Sequence, residues 1–127
     1  MIESMEKATV VIGASSKPER YSYKAVHSLV AHNIPVIALG VKTDEVAGIP
    51  ILNDRPAIKK PDTITLYINP LVQKDWEEYI LSLQPRRIIF NPGTENPDLF
   101  LKAKDQGIEV LEACTLVLLA TNQYSSE

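Results

Sequence analysis

The chain has 127 residues, with 13 Lys plus Arg against 16 Asp plus Glu and a net charge of −3. That balance excludes a general nucleic-acid binder, which carries a basic excess, and 38 residues of Leu, Ile, Val or Phe exclude a disordered chain. One cysteine leaves no intrachain disulfide and no cysteine-based zinc site; no apolar run approaches the ~20 residues that span a bilayer, and residues 1–7 lack the apolar stretch of a signal peptide, so the expectation is a single soluble, cytoplasmic domain over residues 1–127.

Short apolar runs alternate with helical patches along the chain. Residues 8–12 (ATVVI) form the first run and end at Gly13. A helix is expected over 23–32, with Ser22 as its N-cap. Residues 35–39 (PVIAL) form the second run. The stretch 40–61 breaks the pattern; it could hold an extra strand at 49–52 and a helical turn at 55–60. Residues 63–68 (TITLYI) form the third run and end at Asn69-Pro70. Val72, Trp76, Tyr79, Ile80 and Leu83 then fall on one helical stripe. The fourth run is 87–90 (RIIF), ending at Asn91-Pro92-Gly93. Asn96-Pro97 opens a helix that Gly107 stops. A weaker fifth run at 108–111 leads to a closing segment at 115–121, read as a helix with a strand as the alternative.

Unbroken apolar runs suit strands covered on both faces, as in a parallel sheet. Strand–helix–strand repetition gives right-handed crossovers. The expected fold is therefore α/β: a doubly wound, mostly parallel, five-stranded Rossmann-like sheet with helices on both faces. The five strands are expected in the order third, second, first, fourth, fifth.

Ligands of such sheets bind beyond the carboxyl ends of the strands. The loop after the first strand, 13–22, leads into a helix N-terminus, where free N–H groups and the helix dipole favour phosphate. Gly13 permits a tight turn and close approach. Ser15, Ser16 and Ser22 add hydroxyls, Tyr21 adds a phenol, and Lys17, Arg20 and Lys24 add positive charge. A structural role alone is the alternative for this loop, because Ser15 and Pro18 stand where G-x-G-x-x-G would have glycine. After the second strand, Lys42 stands where an NAD site carries an acidic residue. A lysine there suits an extra ribose phosphate, as in NADP or coenzyme A; simple exposure is the alternative. The loop 91–96 could face a polar part of a ligand or simply turn the chain into the next helix.

Gly13-Ala14-Ser15 with Pro18, Arg20 and Ser22, then Asn91-Pro92-Gly93, then GIEVLEAC at 107–114, resemble the coenzyme A-binding domain family. Its members are small Rossmann-like proteins similar to the nucleotide-binding part of the succinyl-CoA synthetase α subunit. The resemblance runs from about residue 9 to 119. It implies binding of coenzyme A or an acyl-CoA with no established reaction. By position it implies that Gly13, Ala14, Ser15, Arg20 and Ser22 hold the pyrophosphate, and that Lys42 lies near the 3′-phosphate. Ile68, Asn69 and Pro70 would then flank the adenine or upper pantetheine, and Asn91, Pro92 and Gly93 would line the pantetheine. The chain departs from the family pattern at Leu39-Gly40-Val41-Lys42 and at Glu112-Ala113.

Catalysis needs a placed base, nucleophile or metal. His27 and His32 read as structural or solvated, and no metal-ligand spacing appears. The synthetases' phosphohistidine loop lies in a second domain that this chain lacks. Cys114 follows the fifth run, where it could meet the thiol of coenzyme A in a mixed disulfide; a buried, inert cysteine is the alternative. The leading expectation is non-catalytic binding of coenzyme A or an acyl-CoA, as a sensor or carrier. The alternatives are an NADP-dependent oxidoreductase and an interaction module that has lost its ligand, with the apolar 116–120 segment covering a homodimer interface.

Overall fold

A computed structural model describes residues 7–125; all of the N-terminal stretch 1–7 except Lys7 lies outside the described residues. The elements in chain order are β1 (Thr9–Ile12), α1 (Tyr21–Ala31), β2 (Val36–Leu39), β3 (Asp44–Val46), β4 (Ile49–Leu52), β5 (Thr63–Leu66), α2 (Pro70–Gln73), α3 (Glu77–Ser82), β6 (Arg87–Phe90), α4 (Pro97–Asp105), β7 (Glu109–Glu112) and α5 (Thr115–Ala120). One sheet orders its seven strands β3-β4-β2-β1-β5-β6-β7. All neighbours are parallel except the β3–β4 pair.

Two expectations about the sheet are corrected. The strands number seven rather than five. The run at 63–68 does not sit outside the second; it pairs with the other side of β1, Thr9 opposite Thr63. The outer place beside β2 belongs to β4, where Ala38 faces Ile51. The cause is the hairpin that carries β4. Ala47 and Gly48 both take positive φ, 53° and 79°, the requirement of a tight type I′ turn, and β3 folds back antiparallel on β4. The chain then returns past β2 to the free side of β1. The expected turn at 55–60 is not helical: Ile58 there makes an isolated bridge and is buried in the core.

β1, β2, β5 and β6 are buried along their whole length. Their residues alternate between two apolar clusters because successive side chains of a strand point to opposite faces. Val10, Ile12, Ile88 and Phe90 join Ile80, Leu83, Leu99 and Ala103 in one cluster. Val11, Ala38 and Ile89 join Val26, Leu29, Leu119 and Tyr124 in the other. At the amino edge, the buried Arg87 donates to the Thr63 hydroxyl at 3.0 Å and to the Tyr124 carbonyl at 2.9 Å. Its guanidinium lies 4.4 Å from the centre of the Tyr124 ring. The Tyr124 and Thr9 hydroxyls are hydrogen-bonded, so the segment after α5 is tied to the start of β1.

Helix boundaries follow local chemistry with two departures. α1 begins one residue before Ser22, with Arg20 at the N-cap and no side-chain cap; Ser22 is buried in the first turn. The stripe from Val72 to Leu83 is broken into α2 and α3. Gln73 is fully buried and its amide donates to the Ile68 and Thr94 carbonyls at 2.8 and 2.7 Å while accepting from Asn96 at 2.8 Å. A buried amide needs such partners, and meeting them bends the chain after Gln73. Asn69 caps α2 through the Val72 N–H, and Asn96 caps α4 through the Leu99 N–H, each followed by proline. The closing segment is the helix α5.

Candidate functional site

The strand order reverses at β1, whose neighbours are β2 on one side and β5 on the other. The carboxyl ends of strands at such a switch point leave a crevice. Gly13 turns the chain out of β1 with φ +96°, and a Cβ on it would lie 2.8 Å from the Tyr67 carbonyl oxygen. Gly40 does the same for β2 by close approach alone: a Cβ there would lie 2.5 Å from the Ala14 carbonyl oxygen. The loops after β1, β2 and β5 are thus packed backbone to backbone.

Three cavities run along this edge and share lining residues. The first, about 380 Å³, is lined by Lys17, Arg20, Lys42, Val41, Val72 and Trp76 among others. The second, about 360 Å³, shares Gly13, Ser15, Arg20, Tyr67 and Ile68 with it and adds Tyr21, Ser22, Asn69, Pro92 and Gly93. The third, about 240 Å³, shares Tyr21, Tyr67 and Pro92 with the second and ends at Asn91, Cys114 and Leu116. Together they make a groove from Lys42 to Cys114. The N-terminus of α1 faces its middle, and with no side-chain cap its first N–H groups stay available to an anion.

The groove brings together the residues that the resemblance assigns to the ligand, all but one, while Lys24 of the first loop lies outside its lining. Ala14 and Ser16 line the first cavity. Pro70 is the exception: it opens α2 and lines none of the three cavities. Several of the others are already engaged. The Ala14 N–H donates to the Leu39 carbonyl at 2.9 Å, which withdraws it from anion binding. Ser16 donates to Asp44 at 2.7 Å; that bond holds the Asp44 carboxyl below its usual range, helped by the Glu45 N–H and the charge of Lys42. Ser15 accepts from the Lys17 N–H at 3.1 Å. Asn91 is buried, donating to the Thr65 hydroxyl and Leu66 carbonyl at 2.7 and 2.8 Å and accepting from the Thr115 N–H at 2.9 Å. Its side chain therefore braces the groove floor.

Two groove residues escape a reading of the sequence. Tyr67 lines all three cavities; its hydroxyl is buried without a hydrogen-bond partner, and burial pushes its pKa up to about 12. Its one signal is an aromatic residue near the end of the apolar run 63–68, just past the last residue of β5. Trp76, whose spacing suggests packing alone, packs against the core and also lines the first cavity. Arg55 lies 3.9 Å from the centre of its ring and pairs with Asp75 at 2.7 Å. Tyr79 donates to the Pro56 carbonyl at 2.7 Å. The 53–60 segment is thereby pinned against the Trp76 wall.

A further hollow of about 270 Å³ lies at the amino edge, beside Asp62 and Arg86. Its arginine is engaged, with Asp62 at 2.7 Å and Glu109 at 3.1 Å, so the carboxyl-edge groove is the better anion site. Among the described residues no cluster of metal-ligating side chains occurs, and no helix is long and apolar enough to cross a membrane.

A family model described as CoA binding domain matches residues 7–120. The crystal structure of an uncharacterized protein is 45% identical, with a TM-score of 0.90, covering 94% of this chain and 99% of its own. A hypothetical protein from Pyrococcus horikoshii OT3 is 23% identical with a TM-score of 0.79, over 95% of this chain and 85% of its own. A conserved hypothetical protein from Pyrococcus furiosus is 21% identical with a TM-score of 0.76, over 87% and 97%. No curated protein matches the chain.

Proposed function

Since the chain belongs to the CoA-binding domain family, we propose that it binds coenzyme A or an acyl-CoA and performs no reaction on it. The observation that carries this reading is the groove itself: cations at one end, an uncapped helix N-terminus in the middle, an apolar compartment at the other. Coenzyme A has the same order of parts. Its pyrophosphate lies against Gly13, Ser15, Arg20, Tyr21 and Ser22, where free N–H groups and a guanidinium meet a dianion. Lys42 takes the 3′-phosphate. Ile68 and Asn69 flank the adenine or upper pantetheine, and Pro92 and Gly93 line its lower part. Ala14, Ser16 and Asn91 shape the walls rather than donate, and Pro70 acts through α2. We take the two apolar clusters to be two helical layers of a doubly wound sheet, which leaves the carboxyl edge as the open side.

Thermal unfolding with coenzyme A, dephospho-coenzyme A and NADP tests the reading. A ligand at ~100 times its Kd adds about 2.7 kcal/mol. Coenzyme A is expected to stabilise more than dephospho-coenzyme A, and Lys42→Ala to erase that difference. No shift with coenzyme A overturns the reading; a shift with NADP alone replaces it with a redox function.

A further inference from the structure

The compartment at the Cys114 end of the groove differs in kind from the other two. Its lining is Tyr21, Tyr67, Asn91, Pro92, Cys114 and Leu116. None of these carries positive charge. Every polar atom of the Asn91 side chain is engaged in the bonds to Thr65, Leu66 and Thr115. The Tyr67 hydroxyl is sealed from solvent, so that residue offers the compartment its ring. Arg20, Lys17 and Lys42 line the other cavities. Lys24 stands 5.2 Å over the Tyr21 ring but is not part of the lining.

Resting on coenzyme A as the ligand of the groove, we infer that this compartment takes the acyl group of a short, uncharged acyl-CoA and rejects acyl groups that end in a carboxylate. The lining holds no cation, and burying a carboxylate without one is costly, whereas each methylene removed from water is favourable. The size sets the chain length. A volume of about 240 Å³ is the share of roughly eight water-sized groups at ~30 Å³ each. Three are used by the thioester sulfur, carbon and oxygen, which leaves room for about five carbons. The selectivity would separate this chain from the succinyl-handling synthetases whose nucleotide-binding part it resembles.

Calorimetric titration of the full chain with coenzyme A, acetyl-CoA, butyryl-CoA, octanoyl-CoA and succinyl-CoA decides the matter. Each buried methylene is worth about fourfold in affinity, so butyryl-CoA, with two more, is expected about fifteenfold tighter than acetyl-CoA. Succinyl-CoA, of the same chain length but charged, is expected at least tenfold weaker than butyryl-CoA, and octanoyl-CoA is expected to gain over butyryl-CoA only the two carbons that still fit, at most about fifteenfold. Leu116→Lys, which puts a cation in the lining, is expected to reverse the butyryl-to-succinyl preference; the native series decides the question even where that variant does not fold. Equal binding of succinyl-CoA and butyryl-CoA, with coenzyme A bound, overturns the selectivity and leaves the parent reading standing. Absence of coenzyme A binding overturns both.

Discussion

Replacing Gly40 with alanine tests whether the groove depends on backbone packed against backbone. A Cβ at this position would lie 2.5 Å from the Ala14 carbonyl oxygen and 2.9 Å from Ile51 Cγ2, whereas ordinary contact begins at 3.4 Å. The loop after β1 or the end of β2 must therefore give by about 0.9 Å. Both are held: the Gly13 and Ala14 N–H groups donate to the Leu39 carbonyl at 2.9 Å, and the Gly40 N–H donates to the Leu52 carbonyl at 2.9 Å. Overpacking of this kind costs ~1–3 kcal/mol, and a weakened hydrogen bond adds ~1 kcal/mol. Loss of chain entropy in the unfolded state returns ~0.4–1 kcal/mol. The net expectation is a loss of about 2 kcal/mol, or roughly 8 °C in Tm for a domain of this size. Gly48→Ala is the control, since nothing lies within 4 Å of its Cβ and only its φ of +79° is strained; it should cost about 1 kcal/mol. Urea unfolding at 25 °C reads both. Gly40→Ala should also weaken coenzyme A, because the displaced loop carries Ser15 and Ser16. A Gly40→Ala protein within 0.5 kcal/mol of the parent, or more stable than Gly48→Ala, would refute the steric argument.

Two further outcomes are expected. Burial alone would raise the pKa of Asp62, but hydrogen bonds from Arg86 and Thr63 and the charges of Arg86 and Arg87 hold it below its usual range. A depressed carboxyl pKa stabilises the fold above the unfolded-state value of ~3.9 and loses that contribution as pH falls through the folded-state value. Asp62→Asn should therefore cost about 1 kcal/mol at pH 7, modest because Arg86 is partly exposed, and in urea unfolding the gap from the parent should narrow as pH falls below the unfolded-state value of ~3.9. Asn91→Ala should cost about 3 kcal/mol, because it leaves the buried Leu66 carbonyl and Thr115 N–H without a partner; a loss under 1 kcal/mol would show that water replaces the amide.

The four central strands are legible in the sequence because burial on both faces leaves an unbroken apolar run, and RIIF or VIAL is hard to read otherwise. The β3–β4 hairpin is only half visible. Its turn is Ala47-Gly48 rather than Asn-Gly, and β3 carries Asp44 and Glu45 exposed at the sheet edge, so neither the turn nor the alternation announces it. The order of strands is obscured for the same reason, since one overlooked hairpin changes which run lies beside β2. The Val72–Leu83 stripe has helical spacing, yet the demand of Gln73 for three partners across two loops overrides it. At the groove, Gly13 is readable because a glycine directly after a buried strand marks a sharp turn at the sheet's carboxyl edge. Gly40 is not, because its necessity is a distance to a residue 26 positions away. Tyr67 and Trp76 resemble core aromatics in any local window, and only the meeting of four loops gives them a second face.

The pairing of Tyr124 with Thr9 joins residues 115 positions apart. During synthesis the first strand leaves the ribosome long before its partners exist: β2 follows within one helix, but β5, on its other side, comes some fifty residues later. The central strand must wait with one edge open, and its first residue is closed off only by nearly the last described residue of the chain. Slow or paused translation should therefore prolong an aggregation-prone species, whereas the arrival of Tyr124 closes the latch on a sheet whose strands are already made.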